Sequence, residues 1–165
     1  MDKAQNSYKC SQNDMNAVCF SPVSEHMLVT AGDSSGIVQA WDLRMMQNSI
    51  IDFLHHKESA NVLDWSALDP NLLISGSNDR KVYLWDVSKA GEEQGRSDYD
   101  EGPPELLFPH ECHDANIEAV NFSPHHQNYV VSADNLGFVQ VWKMRADVQE
   151  SLSGLGEEIH DSDLE

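Results

Sequence analysis

Residues 110–113, His-Glu-Cys-His, form the densest group of metal-binding side chains in the sequence. Imidazole and thiolate are the ligands that zinc prefers, and structural sites combine them at a few recurrent spacings. The spacing here matches no common structural zinc site, and along a strand His110 and Cys112 would share one face while His113 pointed to the other. We therefore expect no bound metal and interpret His113 as a residue that precedes a strand.

Other catalytic signals are absent from the sequence. It contains no glycine-rich phosphate loop, no nucleophile elbow and no metalloprotease helix motif. We interpret His55–His56 and His125–His126 as solvent-facing pairs in turns. Carboxylates are abundant, but a catalytic pair of acids needs a pocket that shifts a pKa, which a sequence does not display. The sequence therefore predicts a protein that is not an enzyme and that needs no cofactor.

The chain is strongly acidic. Its 165 residues include 28 Asp and Glu against 10 Lys and Arg, a formal net charge of −18. Such a surface repels the phosphate backbone of nucleic acids, so direct nucleic-acid binding is not expected, whereas basic proteins are attracted. The sequence contains no run of about 18 apolar residues that could span a membrane, and no secretory signal that would indicate export. Three cysteines at unrelated spacings make no disulfide framework and favour a reducing, intracellular compartment.

Three segments of the chain align on their tryptophans, and these repeats determine the elements that must position any site. Trp41 and Trp85 lie 44 residues apart, and Trp85 and Trp142 lie 57 apart, so the last unit carries an insertion. A period of roughly 40–45 residues with a terminal Trp-Asp is the signature of the WD repeat, in which each period forms one four-stranded propeller blade. We predict an all-β fold of about three four-stranded antiparallel blades, which is an incomplete or open propeller.

The turns within these units carry conformational signals. Gly36 and Gly137 each lie five residues before a tryptophan, where a tight hairpin needs a positive φ. The segments between the units read differently, because residues 89–105 are acidic, contain glycine and proline, and lack periodicity. The predicted organisation is a lead-in at 1–13 that can add an outer strand, blades at 14–54, 55–88 and 106–145, an acidic Pro-Pro loop at 89–105, and a short helix with an acidic disordered tail at 146–165.

Only the middle unit displays the full polar set that such blades bury. This set is a histidine before the first strand, which is His55 or His56 and which we assign to His56, followed by Ser75, Asp79 and Trp85. We expect these side chains to form a hydrogen-bond chain between the outer strands and the turn, because buried polar groups stabilise a fold when each finds a partner.

The outer two units differ at the same place. Around Trp41 and Trp142, the position six residues before the tryptophan holds Ser35 or Leu136, and the aspartate lies two residues upstream. We therefore predict a weaker or different polar network in those two blades.

Residues 88–110, SKAGEEQGRSDYDEGPPELLFPH, carry a sharper signal. They resemble the insert of the nuclear histone-binding WD-repeat proteins, the retinoblastoma-binding and chromatin-assembly-factor small-subunit family, which has a GEEQ stretch, an acidic run and GPPELLF before its last blade. WDLR at 41–44, WDVSK at 85–89 and VQVWKM at 139–144 also match the last three blades of that family. The resemblance covers about residues 14–150.

The resemblance implies that the insert forms an acidic lip on the side of the propeller. A helix of a core histone would bind between this lip and a long N-terminal helix. The histone-binding residues that it implies are Asp98, Asp100, Glu101, Gly102, Pro103, Pro104, Glu105, Leu106, Leu107 and Val148. The acids would pair with Lys and Arg, the prolines would stiffen the lip, and the two leucines would anchor apolar side chains. The alternative is a solvated loop whose residues 106–108 start the outer strand of the next blade.

The sequence also departs from the family pattern. It is expected to lack the N-terminal amphipathic helix, and Val148 and Gln149 stand where the family has a larger aliphatic residue and an aromatic one. The family holds a basic peptide on the top face with acids and an aromatic residue. The matching positions here are Ser59 and Asn61, while Asn16 is kept. These departures weaken the expectation of peptide binding on the top face.

The sequence as a whole predicts a noncatalytic, nuclear histone-binding protein that acts as a subunit of chromatin assembly or modification complexes. Its expected partners are core histones and the other subunits of those complexes, with neither nucleic acid nor a membrane bound directly. One alternative is a generic WD-repeat interaction scaffold or a truncated copy without histone binding. A further alternative is a substrate receptor of a ubiquitin ligase.

Overall fold

The computed structural model describes residues 6–32, 34–92 and 102–144, which form eleven β-strands and one short 3₁₀ turn at Val87–Lys89. The strands are β1 (Met15–Phe20), β2 (Met27–Gly32), β3 (Val38–Asp42), β4 (Ile51–Phe53), β5 (Ala60–Trp65), β6 (Leu72–Ser77), β7 (Val82–Asp86), β8 (Leu106–His110), β9 (Ile117–Phe122), β10 (Tyr129–Asp134) and β11 (Val139–Lys143). Within these described ranges, no helix has the length and apolarity needed to cross a membrane.

The strands form three antiparallel sheets. The first has the order β1-β2-β3-β4, the second β5-β6-β7-β8, and the third β9-β10-β11. The predicted all-β fold of about three antiparallel blades is confirmed. The helix predicted within 146–165 lies outside the described residues, and the described part of the lead-in, residues 6–13, contains no strand.

The strand Leu106–His110 belongs to the second sheet. It pairs with β7, from Val82 opposite His110 to Trp85 opposite Leu106. The sequence analysis assigned residues 106–145 to one blade, so the structure moves the first five of them to the sheet before. The reason is that a sheet is completed by hydrogen bonding across space, and the exposed edge of β7 is the nearest acceptor when the chain returns from the loop.

The two faces of each sheet pack against different neighbours, and we name them by that relation. The front face of a sheet points towards the sheet that precedes it in the chain, and the back face points towards the sheet that follows. Successive residues of a strand alternate between the two faces, so Leu73 lies on the front of the second sheet while Leu72 and Ile74 lie on its back.

Two apolar clusters between the sheets form the core. In the first cluster, the back of the first sheet meets the front of the second: Val29, Ala31, Val38, Ala40 and Phe53 pack with Ala60, Trp65, Leu73, Tyr83 and Trp85. In the second cluster, the back of the second sheet meets the third: Leu72, Ile74, Val82 and Leu84 pack with Ile117, Val120, Val130 and Met144. Each large side chain buried in this way contributes about 1.5–3 kcal/mol to folding.

Candidate functional site

The polar residues predicted for the middle unit lie together on the front face of the second sheet. His56 Nδ1 lies 3.0 Å from Asp79 Oδ2, and His56 Nε2 lies 2.8 Å from Ser75 Oγ. Trp85 Nε1 donates to the same Ser75 oxygen at 2.8 Å. Because indole can only donate, the serine proton is left for His56 Nε2, and His56 Nδ1–H donates to the carboxylate. The side chain of His56 is fully buried, so it is not the solvent-facing turn residue that the sequence suggested.

A second complete set lies in the third sheet. His113 Nδ1 is 2.9 Å from Asp134 Oδ2, its Nε2 is 2.7 Å from Ser132 Oγ, and Trp142 Nε1 donates to that serine at 3.2 Å. The expectation that only the middle unit has the full set is therefore wrong. Asp134 occupies the last position of β10, two residues earlier than Asp79 in its own unit, yet its carboxylate reaches the same imidazole nitrogen.

The first sheet differs from the other two. Trp41 Nε1 donates to Thr30 Oγ1 at 2.9 Å, so a threonine replaces the serine. Counting four residues back from the start of the innermost strand gives His56 and His113 in the second and third sheets and Ser11 in the first. An imidazole link between strand and turn is thus present in two sheets of the described chain and replaced in the remaining one.

Both carboxylates of these sets have a lowered pKa. Desolvation raises the pKa of Asp79, but the hydrogen bond from His56, together with those from the N–H groups of Lys57 and Lys81, outweighs it and gives a net decrease. For Asp134 the hydrogen bond from His113 is the main cause of the decrease, with the N–H groups of Phe138 and Leu136 adding to it. The fold therefore stabilises both aspartate side chains more in their ionised carboxylate form than in their protonated form.

This linkage gives a pH-dependent stability. Because the pKa of Asp79 in the folded protein lies below the ordinary aspartate value of 3.8, its ionised form stabilises the fold above that pH, and this stabilisation is lost as the pH falls through the folded-state pKa. We expect Asp79→Asn to lower the free energy of unfolding at pH 7 by about 1–3 kcal/mol, the range for disturbing a buried hydrogen bond. Urea unfolding of both proteins should show this difference shrinking as the pH falls below 3.8. A difference that stays constant down to pH 2 would contradict the assignment.

The loop 89–105 is fixed at both described ends. At its start, Asp86 Oδ1 accepts the N–H of Ser88 at 2.9 Å and so caps the 3₁₀ turn. At its end, the carbonyl of Pro103 accepts the N–H of Leu106 at 2.9 Å, and the carbonyl of Glu105 accepts the N–H of Asp86 at 2.8 Å. The loop therefore leaves and rejoins the second sheet at neighbouring points of the β7–β8 pair.

A glycine is required where the loop rejoins the sheet. Gly102 has a φ of 100°, and a Cβ at this position would lie 2.9 Å from Leu106 Cδ2 and 3.5 Å from His55 Cε1. His55 in turn stands edge-on to Tyr83, with the ring centroids 4.9 Å apart. The close approach at Gly102 thus places the returning chain beside His55, which packs on Tyr83 of the second sheet.

The predicted binding residues divide into described and undescribed ones. Asp98, Asp100, Glu101 and Val148 lie outside the described residues. Pro103 and Pro104 are half-buried at the loop end, and Glu105 is buried.

The two predicted apolar anchors pack inwards. Leu106 packs against the first core cluster and Leu107 against the second, because β8 directs successive side chains to opposite faces. Both leucines therefore hold β8 in its sheet, and their packing does not support a role as free anchors for a partner.

The three top-face positions lie together. Asn16 Nδ2 is 2.9 Å from Ser59 Oγ, 3.1 Å from the carbonyl of Ala60 and 3.2 Å from Asn61 Oδ1, and Asn61 Nδ2 donates to the carbonyl of Ile117 at 3.3 Å. Asn16 and Asn61 occupy equivalent β-bulges of β1 and β5, where a strand can redirect one side chain. These amides are engaged with one another and link the three sheets.

Sequence reasoning missed two links between the second and third sheets. His110 stacks on Trp142 with ring centroids 4.3 Å apart, and its Nε2 lies 2.9 Å from Gln140 Oε1. On the inner strands, Asp64 Oδ2 accepts the N–H of Phe122 at 2.7 Å. Neither link has a local sequence signal, because each joins residues 30 or more positions apart. No group of three or more His, Cys, Asp or Glu residues suited to a metal ion occurs in the part of the chain that the structure describes.

One thiol is held in its protonated form near these inner strands. Burial of Cys19, with a smaller contribution from the carboxylate of Asp64, raises the pKa of the thiol to about 12. A thiol with such a pKa carries almost no thiolate at neutral pH and has little reactivity. Cys19 therefore serves as a packing residue against the first core cluster.

Comparisons with known proteins agree with this architecture. Residues 48–86 match the family described as WD domain, G-beta repeat. The chain is 28% identical to a histone acetyltransferase type B subunit 2 of Candida glabrata over 81% of its own length, which is 32% of that protein. It is 29% identical to the protein of the same name in Debaryomyces hansenii over 96% of its length and 39% of that protein. The chain thus spans 32–39% of the length of these two relatives. The resemblance inferred from its sequence is confirmed.

Proposed function

We propose that this chain is a noncatalytic, nuclear subunit of a chromatin assembly or modification complex, and that it binds a basic helix of a core histone through the acidic loop 89–105. The observation that carries the proposal is the similarity, along most of the chain, to two proteins that are named as subunits of a histone acetyltransferase. The role proposed here is that of a binding subunit, with catalysis residing in a partner.

The charge of the loop suits such a partner. Residues 89–105 contain six acids against two basic residues. Opposite charges across an interface steer the approach of the partner and fix its orientation more than they raise its affinity. Both described ends of the loop are hydrogen-bonded to the second sheet, so the backbone at these two ends loses little further conformational entropy when a partner binds.

Because Leu106 and Leu107 of β8 pack inwards, the apolar contribution to histone binding is expected from other residues of the loop. Leu106 and Leu107 are engaged with the two core clusters, so a histone helix bound at this loop would meet the rings of Pro103 and Pro104 first, since both are half-buried at the loop end. Proline rings present a rigid apolar surface that loses little conformational entropy when it is covered.

A fluorescence-anisotropy titration tests the proposal. The probe is a labelled peptide that corresponds to one helix of a core histone, and the protein is the whole chain. We expect saturable binding at low salt and weaker binding at higher salt, because exposed charges separated by more than about 8–10 Å are screened near physiological ionic strength. Asp100→Lys together with Glu101→Lys should weaken binding by about tenfold, since exposed ion pairs each contribute up to about 1 kcal/mol.

The matched control is another charge reversal on the same chain. Glu25→Lys changes a side chain that is 86% exposed, in the turn between β1 and β2. It should leave the affinity within about twofold of the unchanged chain, because it lies outside the loop and its charge is screened. Absence of binding at low salt would overturn the proposal, as would an equal loss in Glu25→Lys and the loop variant. A pull-down that recovers WD-repeat partners but no histone would favour the scaffold alternative.

A further inference from the structure

One buried histidine joins the second sheet to the third where β8 meets β11. His110 is the last residue of β8, pairs with Val82 of β7, and is 8% exposed. Its ring stacks on the indole of Trp142 in β11, with the centroids 4.3 Å apart and the two planes 10° from parallel. Phe108, two residues earlier on β8, lies 6.2 Å from the same indole. Two rings of β8 therefore cover Trp142, and only that of His110 can titrate.

The hydrogen bonds around His110 determine where its proton lies. Gln140 Nε2 donates to the carbonyl of Cys112 at 2.7 Å, so Gln140 Oε1 is the acceptor that faces His110 Nε2 at 2.9 Å. Nε2 therefore carries the proton of the neutral ring, and Nδ1 carries none. A second proton would be added at Nδ1 and would turn His110 into a cation between the two sheets.

The surroundings of His110 disfavour that cation. Burial is the main cause that lowers the pKa of His110 below its ordinary value of 6.5; the hydrogen bond to Gln140 acts in the opposite direction, and the charge of His113 adds to the decrease. The face of an indole attracts a cation. It offers no acceptor in the plane of the imidazole, however, so it does not replace the water that a charged Nδ1–H loses on burial.

The carboxylates that the structure describes near this ring already have other partners. Glu111, which follows His110 in the chain, pairs with Lys81, which precedes β7. Asp134 on β10 lies 2.9 Å from His113 Nδ1, and the ring of His113 is 6.0 Å from that of His110. The other titratable groups of the adjoining segments are Cys112 and Asp114 in the loop after β8, and Lys143 on β11, which lies over the ring of Tyr129.

We propose that His110 makes the contact between β8 and β11 sensitive to acid. The neutral ring stays stacked on Trp142. When Nδ1 takes up a proton, the imidazolium leaves the stack for water, and Trp142 loses its cover from the second sheet. The inner part of the same interface, where Ile117 and Val120 pack with Leu72, consists of apolar side chains and stays closed. The opening is therefore local, confined to these two strands.

The direction of the pH dependence follows from the burial of His110. Because the folded protein holds this ring neutral, it takes up the proton less readily than the unfolded chain does. The stabilisation from this contact is therefore complete above pH 6.5 and is lost as the pH falls from that value through the folded-state pKa. The carboxylates of Asp79 and Asp134 act only below pH 3.8, so the two pH ranges are separate.

NMR titration of the whole ¹⁵N-labelled chain tests this proposal without any histone peptide present. We expect the ring nitrogens of His110 to show the Nε2–H tautomer at neutral pH and to titrate with a pKa below 6.5. The indole N–H signal of Trp142 should shift with the same midpoint, because the stack opens as the ring is protonated. Trp142→Ala should move the pKa of His110 back towards 6.5, since it removes the ring that buries the imidazole.

Two histidine variants separate the effect of His110 from a general effect of acid. His110→Phe keeps an aromatic ring against Trp142 but cannot titrate, so the indole signal should stay constant from about pH 8 to pH 5. His125→Gln removes an exposed histidine from the turn between β9 and β10 and should leave the shift of Trp142 unchanged. Circular dichroism at neutral pH checks that both variants are folded.

Three results would overturn the proposal. A pKa of His110 at or above 6.5 would show that the indole retains the imidazolium, so that acid does not open the stack. A Trp142 signal that still shifts in His110→Phe would assign the change to another group. If His110→Phe does not fold, the unchanged chain still decides, because different midpoints for His110 and Trp142 would show that the two rings are not coupled.

Discussion

Replacement of Trp85 by alanine is expected to lower the free energy of unfolding by about 3–5 kcal/mol, the usual cost of removing a large buried aromatic side chain. Trp85 is fully buried, and its ring packs 5.3 Å from Phe53 and 5.7 Å from Tyr83, centroid to centroid. The change also removes the indole donor to Ser75. Since a domain of this size has a total stability of only 5–15 kcal/mol, the variant should be close to unfolding at 37 °C.

Trp142→Ala provides the matched comparison. Trp142 occupies the equivalent position of the third sheet and donates to Ser132, but it is half-buried. We expect a loss of about 1–3 kcal/mol, because less apolar surface becomes exposed. Guanidinium unfolding followed by far-UV circular dichroism measures both, since tryptophan fluorescence is altered by the changes themselves. Equal losses in the two variants would show that burial at this position does not determine its energy.

Replacement of Gly36 by alanine should have the second large effect, about 2–5 kcal/mol. Gly36 has a φ of 71°, and a left-handed conformation costs a residue with a Cβ about 1–2 kcal/mol. The added Cβ would also lie 2.5 Å from the carbonyl oxygen of Glu58 and 2.8 Å from that of His56. Forcing an atom into packed backbone costs a further 1–3 kcal/mol or so. The displaced segment leads into β5, so the polar set of the second sheet should be disturbed as well.

Gly137→Ala isolates the steric part of this effect. Gly137 has a φ of 89° in the corresponding turn of the third sheet, and a Cβ there would meet nothing within 4 Å. Its expected cost is therefore the conformational one alone, about 1–2 kcal/mol. If urea unfolding gives the two variants the same midpoint, the close approach at Gly36 contributes nothing.

Much of the fold was predictable because its signals are local or periodic. The tryptophan spacing predicted three sheets, and the φ values of Gly36 and Gly137 follow from their place in the turns. The set of Ser75, Asp79 and Trp85 was recognisable because its members stand at fixed distances from one tryptophan.

The parts that escaped prediction depend on contacts across space. The correct assignment of residues 106–110 required knowing that β7 had a free edge. The loop of 89–105 separates β7 from β8 in the sequence, so no local pattern shows that the two strands pair. Asp134 was misjudged because a carboxylate side chain can reach one imidazole nitrogen from two different backbone positions. The packing of Leu106 and Leu107 followed from β8 joining a sheet with two covered faces, which composition alone does not indicate.

The position of β8 has a consequence for how the protein unfolds. The matched WD repeat at residues 48–86 begins before β4, which closes the first sheet, and ends before β8, which closes the second, so this repeat and a sheet do not share the same boundaries. Opening the second sheet would strip β8 from β7 and pull on the segment that holds His113 against Ser132. The described sheets are therefore interlocked into a single cooperative unit, and shuffling the gene at a repeat boundary would exchange one sheet together with the closing strand of its neighbour.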